Sequence, residues 1–198
     1  MMNPKMPVYV LRVPGESIVT QPSAPSEYQR TVKVEGKDWV GARGVALQHA
    51  IDEGCRTVAV MVSDVNLYRR PHAYQTLHPS TEHDMHGMWL YLERLCRRFG
   101  HVYVPPTAWA TRHPSHGAML SPTIPLVAAY QVKALQSLRT LNAPLGAALC
   151  ANGYDSFTVG DYFHQCVAHR AGGPVLDEVG STATWHRAYL NAISKDLI

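Results

Sequence analysis

The run TVAVMV, residues 57–62, constrains this chain more than any other stretch. It is apolar without alternation. A strand with one wet face alternates between apolar and polar residues, so an unbroken run predicts a strand covered on both faces, as in a parallel sheet flanked by helices. A second strand is expected at PVYVLRV, 7–13, a third at HVYV, 101–104, and a fourth at LGAALC, 145–150. TVKVE, 31–35, alternates and suits a short edge strand.

Helical patterns fall between these runs. Val40, Gly44, Leu47 and Ile51 recur at helical spacing, and Gly54 follows as a stop. Residues 82–99 carry one continuous stripe of Met85, Met88, Trp89, Leu92, Leu95, Cys96 and Phe99. Ser121 as N-cap and Pro122 at the first helical position predict a helix over 122–141. Residues 159–171 and 183–195 read as a C-terminal helical pair separated by Gly172, Gly173 and Pro174. The order implies an α/β fold that is Rossmann-like in the loose sense. It has a mostly parallel sheet of about four strands with helices on both faces.

With 198 residues, 46% hydrophobic and 17% charged, the chain reads as one globular α/β domain over 1–198. Residues 14–30, rich in Pro and Ser, form an irregular arm or long loop. No apolar run approaches the ~18 residues of a transmembrane helix, and the start MMNPKMPVYVLRVPG does not read as a secretory signal. A net charge of +3 is too small to argue for nucleic acid. Cys55, Cys96, Cys150 and Cys166 form no C-x-x-C pair and suggest no disulfide framework, which fits a reducing, cytoplasmic setting.

HPSTEHDMHG, 78–87, packs three histidines and two acids into ten positions. Thr81 and Asp84 match a capping box, which gives Asp84 a structural role without a metal. His83 and His86 are neighbours at i, i+3, but a third ligand would have to come from His78 or from His113 and His116 in RHPSHG. No metal and no cofactor are expected. Cys150 could act as a nucleophile only with a base beside it, and a buried small residue is the simpler reading.

In a parallel α/β domain the loops after the strands emerge at one edge. These would be 14–30, 63–80, 105–121 and 151–158, which are long beside the turns near 54–56, 100 and 142–144. Asp64, in VSDVN, follows a buried strand, where open α/β sheets place ligand contacts; the alternative is an Asx turn. The expected catalytic residues are Asp64, His113 and His116, and the expected ligand contacts are Arg69, Arg70, Asn66, Ser121 and Asn152. Helix N-termini near Ser80, Ser121 and Thr158, with Arg69 and Arg70, would suit an anionic small molecule.

Neither G-x-G-x-x-G nor G-x-x-x-x-G-K-[ST] occurs, so the fold alone assigns no function. The leading expectation is a protein that binds, and hydrolyses or transfers, a phosphorylated or nucleotide-like molecule at that edge. Its rival is a non-catalytic interaction or assembly protein. In that reading the same loops, with Tyr68, Tyr74 and Trp109, contact a protein partner or a second copy. His49, the His83–Asp84 pair and a distal aspartate also resemble the ligand order of HD-type metal phosphohydrolases. That resemblance covers four residues and implies an all-helical fold, against which TVAVMV and HVYV argue for strands.

Overall fold

TVAVMV is the strand β3 (Thr57–Val62), and all six of its residues are buried. It lies inside a six-stranded sheet in a computed structural model that describes residues 6–11, 29–30, 39–62, 65–71, 76–105, 107, 126–142 and 145–166. Before it come β1 (Val8–Leu11), β2 (Gln29–Arg30) and helix α1 (Trp39–Asp52). After it come β4 (Val65–Arg69), β5 (His78–Pro79), α2 (Glu82–Cys96), β6 (His101–Tyr103) and β7 (Val127–Gln131). The described chain closes with α3 (Val132–Leu135), α4 (Leu145–Ala151), β8 (Ser156–Thr158) and β9 (Tyr162–Cys166).

The large sheet has the order β2-β1-β3-β7-β6-β8. β1 pairs in parallel with β2 and β3, and β6 with β8, while β7 runs antiparallel to both β3 and β6. Five strands therefore share one direction and β7 opposes them. The sheet is mixed and has more strands than the four expected. A second sheet, β5-β4-β9, is antiparallel.

Side chains of the large sheet alternate between two cores, as the pleat requires. Val10, Ala59, Met61, Val102, Val127 and Ala129 join Met85, Met88, Trp89 and Leu92 of α2. Tyr9, Val58, Val60, Ala128 and Tyr130 join Ala46, Leu47 and Ala50 of α1, with Leu135 and Leu149 of α3 and α4. Helices cover both faces. Val65, Leu67 and Tyr162 extend the first core into the second sheet.

Two helix ends follow local rules. Gly54 has φ +67°, its N–H donates to the Ile51 carbonyl (3.0 Å) and that of Cys55 to the Ala50 carbonyl (3.1 Å). This is a Schellman stop, which favours glycine because the left-handed conformation crowds a Cβ. Gly153 repeats it at φ +80°, with Gly153 donating to Cys150 and Tyr154 to Leu149 (both 3.0 Å). That second stop explains the first correction. LGAALC is not a strand but the helix α4, rich in the strong helix formers Leu and Ala and closed by Gly153.

Other corrections have tertiary causes. Residues 127–131 are not helical but form β7, whose backbone bonds to β3 on one side and β6 on the other; only Val132–Leu135 continue as helix. Pairing on both edges overrides the helix propensity of its alanines. Residues 162–166 are not helical either, because β9 pairs along its length with β4. The stretch 63–80, expected as loop, contains β4 and β5. VNLYR alternates buried Val65, exposed Asn66 and buried Leu67, a period-two signal. Helix α2 ends at Cys96 with Arg97 as cap, before the stripe's last residue Phe99, and the chain bends at Gly100. A side chain there would bring a Cβ to 2.6 Å from that of Tyr154. The expected strand at 31–35, the cap at Ser121 and Pro122, and the helix at 183–195 lie outside the described residues.

Candidate functional site

The carboxyl ends of the five parallel strands lie at one edge of the large sheet, after Leu11, Arg30, Val62, Tyr103 and Thr158. From β1 the chain steps outward to β2, then crosses back to place β3 on the other side of β1. The strand order thus reverses between β1 and β3, and such a switch point opens a crevice outside the strand ends. The link from β3 to β4, which carries Asp64, leaves from this point. Asp64 itself lies outside the described residues, as do His113, His116 and Ser121.

The second sheet grows from the same edge. β4 starts three positions after β3 ends, and β9 starts four positions after β8 ends. His164 ties the two sheets together. Its N–H donates to the Pro105 carbonyl and its Nδ1 to the Val104 carbonyl, both at 2.9 Å, and the residue is 2% exposed. Sequence reading passed over His164 because it fell in an expected helix.

The candidate ligand contacts do not all come together. Asn66 is exposed, and Arg69, three positions along the strand, points to the opposite face, toward α2. Arg69 is also about 13 Å along β4 from Val65, the strand's first residue, at ~3.3 Å per residue. Arg70 is buried. It donates from Nη2 to the Gly160 carbonyl (2.8 Å) and stacks over Phe163 at 4.8 Å. Asn152 follows α4 and precedes β8, so it lies at the amino edge, and its Nδ2 donates to the Ala148 carbonyl (2.8 Å). Asp155 lies at the same amino edge, its carbonyl accepting from the N–H groups of Gly100 and His101.

The start of α2 does bring charges together. Thr81 and Asp84 form the expected capping box: Asp84 N–H donates to Thr81 Oγ1 (3.2 Å), while Oδ2 accepts from Thr81 N–H (3.0 Å) and Oγ1 (2.7 Å). Asp84 Oδ1 accepts from Arg69 Nη1 at 2.5 Å. Burial opposes ionisation of Asp84, but the hydrogen bonds from Thr81 and Arg69 outweigh it and hold the carboxyl below the usual carboxylate range. In Tyr162, burial pushes the phenol up, opposed by the charge of Arg69.

A group with a depressed folded pKa stabilises above its unfolded value and loses that contribution as pH falls through the folded one. Asp84→Ala is therefore expected to cost about 1–2 kcal/mol near pH 7, chiefly through the cap, because Arg69 is too exposed for the ion pair to add much. The gap to wild type should shrink below the carboxylate range. Urea titrations at neutral and acid pH measure it, and a gap that widens with acid would contradict this assignment.

His83 is exposed and His86 half-buried. Among the described residues no group of three or more His, Cys, Asp or Glu side chains is placed to hold a metal ion. The HD-type order is not assembled. His49 lies at the end of α1, where its Nδ1 meets Tyr9 Oη at 2.8 Å, whereas His83 and Asp84 lie at the start of α2 on the other face of the sheet. Cys150 sits in a helix, and burial followed by the charge of Asp155 pushes its thiol up to about 11, so it is protonated at neutral pH. Among the described residues Cys96 and Cys150 are free thiols. Among the described residues no helix is long and apolar enough to cross a membrane.

Sequence reading also missed a buried polar group beneath the other face. Tyr130, His101 and Ser156 are directly paired across β7, β6 and β8, and Arg43 of α1 lies over them. Arg43 is 1% exposed and His101 0%. The available signal was the position of Arg43, one helical turn before Leu47 on an apolar stripe.

No family model and no curated protein matches the chain. Among solved structures it is similar to A197 from STIV, with a TM-score of 0.53 and 7% identity over 81% of this chain and 85% of that one. At that identity the likeness concerns the fold alone. A protein provisionally named a nucleotide-diphospho-sugar transferase, from Desulfovibrio desulfuricans G20, aligns over 95% of this chain and 74% of its own, with 14% identity and a TM-score of 0.42. That similarity is too loose to carry fold or function.

Proposed function

We propose that the protein binds a phosphorylated or nucleotide-like small molecule at the carboxyl edge of its large sheet, and hydrolyses it or transfers part of it. The observation that supports this reading is the reversal of strand order between β1 and β3, with the fully buried β3 leading straight into Asp64. An acid at a switch point is suited to orient a hydroxyl or ribose, or to serve as general base. His113 and His116 follow β6, and so belong by chain order to a connection leaving the same edge. The reading keeps Asp64, Asn66, His113, His116 and Ser121, with Arg69 as a more distant cation. It drops Arg70, whose guanidinium is buried in protein contacts, and Asn152, which lies at the amino edge. The free thiols suit the cytoplasmic setting this reading assumes.

Thermal unfolding with a panel of nucleotides and sugar phosphates tests it. A ligand at about one hundred times its dissociation constant stabilises by about 2.7 kcal/mol, which such a scan detects. Asp64→Asn should abolish the shift while leaving the unliganded melting temperature nearly unchanged. If no member of the panel moves the transition, the ligand-binding reading fails, and a non-catalytic interaction protein becomes the better description.

A further inference from the structure

The amino-edge half of the sheet contains polar atoms that its own packing leaves unused. Tyr130 and His101 are direct partners in the β6–β7 ladder, and His101 and Ser156 in the β6–β8 ladder. Directly paired residues point to the same face of a sheet, so the three form a row. Their face is the one covered by α1, since Tyr130 packs with Ala46, Leu47 and Ala50. The rings of His101 and Tyr130 lie nearly parallel, with centroids 5.0 Å apart. His101 Nδ1 meets Ser156 Oγ at 2.7 Å, which leaves Nε2 as the other ring atom to satisfy. Both residues are 0% exposed; His101 Nε2 has no hydrogen-bond partner among the described residues, and Tyr130 Oη has none of ordinary length there, the Arg43 guanidinium being the group within its reach. The guanidinium of Arg43, which donates to the Leu141 carbonyl at 3.4 Å, is close enough for its charge to act on both.

Buried polar atoms of native proteins nearly always have partners, and when the protein supplies none, an internal water or ion does so. We propose that Tyr130 Oη, His101 Nε2 and the Arg43 guanidinium enclose an internal site for one small hydrogen-bonding ligand, water or chloride. The shared chemistry is acceptance of hydrogen bonds from Tyr130 and Arg43. The histidine tautomer selects between the two occupants. If Ser156 donates to Nδ1, then Nε2 carries a proton, every group facing the site is a donor, and chloride fits. If Nδ1 donates to Ser156, then Nε2 is an acceptor, and water fits, since it can donate there while accepting from the others.

Tyr130→Phe removes one hydroxyl and tests the site directly. If that hydroxyl holds an internal ligand, the variant should melt about 2–4 °C or more below wild type. Were it a donor without any partner, its removal would relieve an unsatisfied group and the variant would melt higher, which overturns the proposal. Replacing chloride with gluconate at matched ionic strength identifies the occupant. A melting temperature that falls in wild type but not in Tyr130→Phe assigns chloride. One that stays constant while the Phe variant keeps its deficit assigns water. Should Tyr130→Phe not fold, high-resolution crystals of wild type grown in bromide decide the matter. Density within hydrogen-bond distance of both Tyr130 Oη and His101 Nε2 supports the site, and its absence overturns it.

Discussion

Lowering the pH from 7 to 4 is expected to remove about 3 kcal/mol of folding stability through His101 alone. The ring is fully buried, and burial, then the charge of Arg43, depress its pKa from 6.5 to about 3. The unfolded chain takes up a proton near pH 6.5 that the folded protein refuses until about pH 3. Stability is therefore intact above the unfolded value and drains away between the two. The effect is large because the imidazole lies in a packed row between Tyr130 and Ser156, where an imidazolium would have to sit beside a guanidinium. Chemical denaturation across this range should show a steep slope in wild type and a shallow one in His101→Phe, which keeps an aromatic ring against Tyr130. Equal stability at pH 7 and pH 4.5 in wild type, or the same slope in the variant, would contradict this placement of His101.

Trp89→Ala should cost about 3–5 kcal/mol, at the upper end for a single core truncation. Trp89 is 0% exposed, on the stripe by which α2 packs against the large sheet, with Met85, Met88 and Leu92 around it. That core also holds Val65, Leu67 and Tyr162 of the second sheet, so the cavity would lie where the three elements meet. Neighbours on strands cannot collapse into it without breaking ladders, which keeps the penalty high. Leu92→Ala, also 0% exposed, should cost about 2–5 kcal/mol in the same core. Equilibrium urea unfolding gives both values. A loss below about 1 kcal/mol for Trp89→Ala would mean that α2 is not packed on the sheet in this way.

What the sequence by itself determined was whatever depends on neighbours a few positions away. The stop at Gly54, the capping box of Thr81 and Asp84, the stripe of α2 and the doubly buried run of β3 were legible because each rests on local spacing. The identity of two short segments was decided by tertiary structure. VAAYQ and YFHQC are strands because partners lie far along the chain: Thr57 pairs with Gln131, and Arg69 with Tyr162. Runs of five residues have no periodicity long enough to separate strand from helix, so pairing decides. In LGAALC a local signal did exist, the stop at Gly153, and it outweighed the apolar appearance of a strand.

The candidate site divides along the same line. Its edge was legible from the alternation of strands and helices, and Asp64 from its place after β3. Which charges face that edge was not. Arg69 and Arg70 are adjacent in sequence, yet one reaches Asp84 at the start of α2 while the other is buried against Gly160 and Phe163, because alternate residues of a strand point to opposite sides. Asn152 went to the other edge once LGAALC proved helical, since the segment before β8 then enters the sheet instead of leaving it. The polar row of Tyr130, His101 and Ser156 exists only through strand pairing, so three residues from distant parts of the chain become neighbours when the sheet forms and not before.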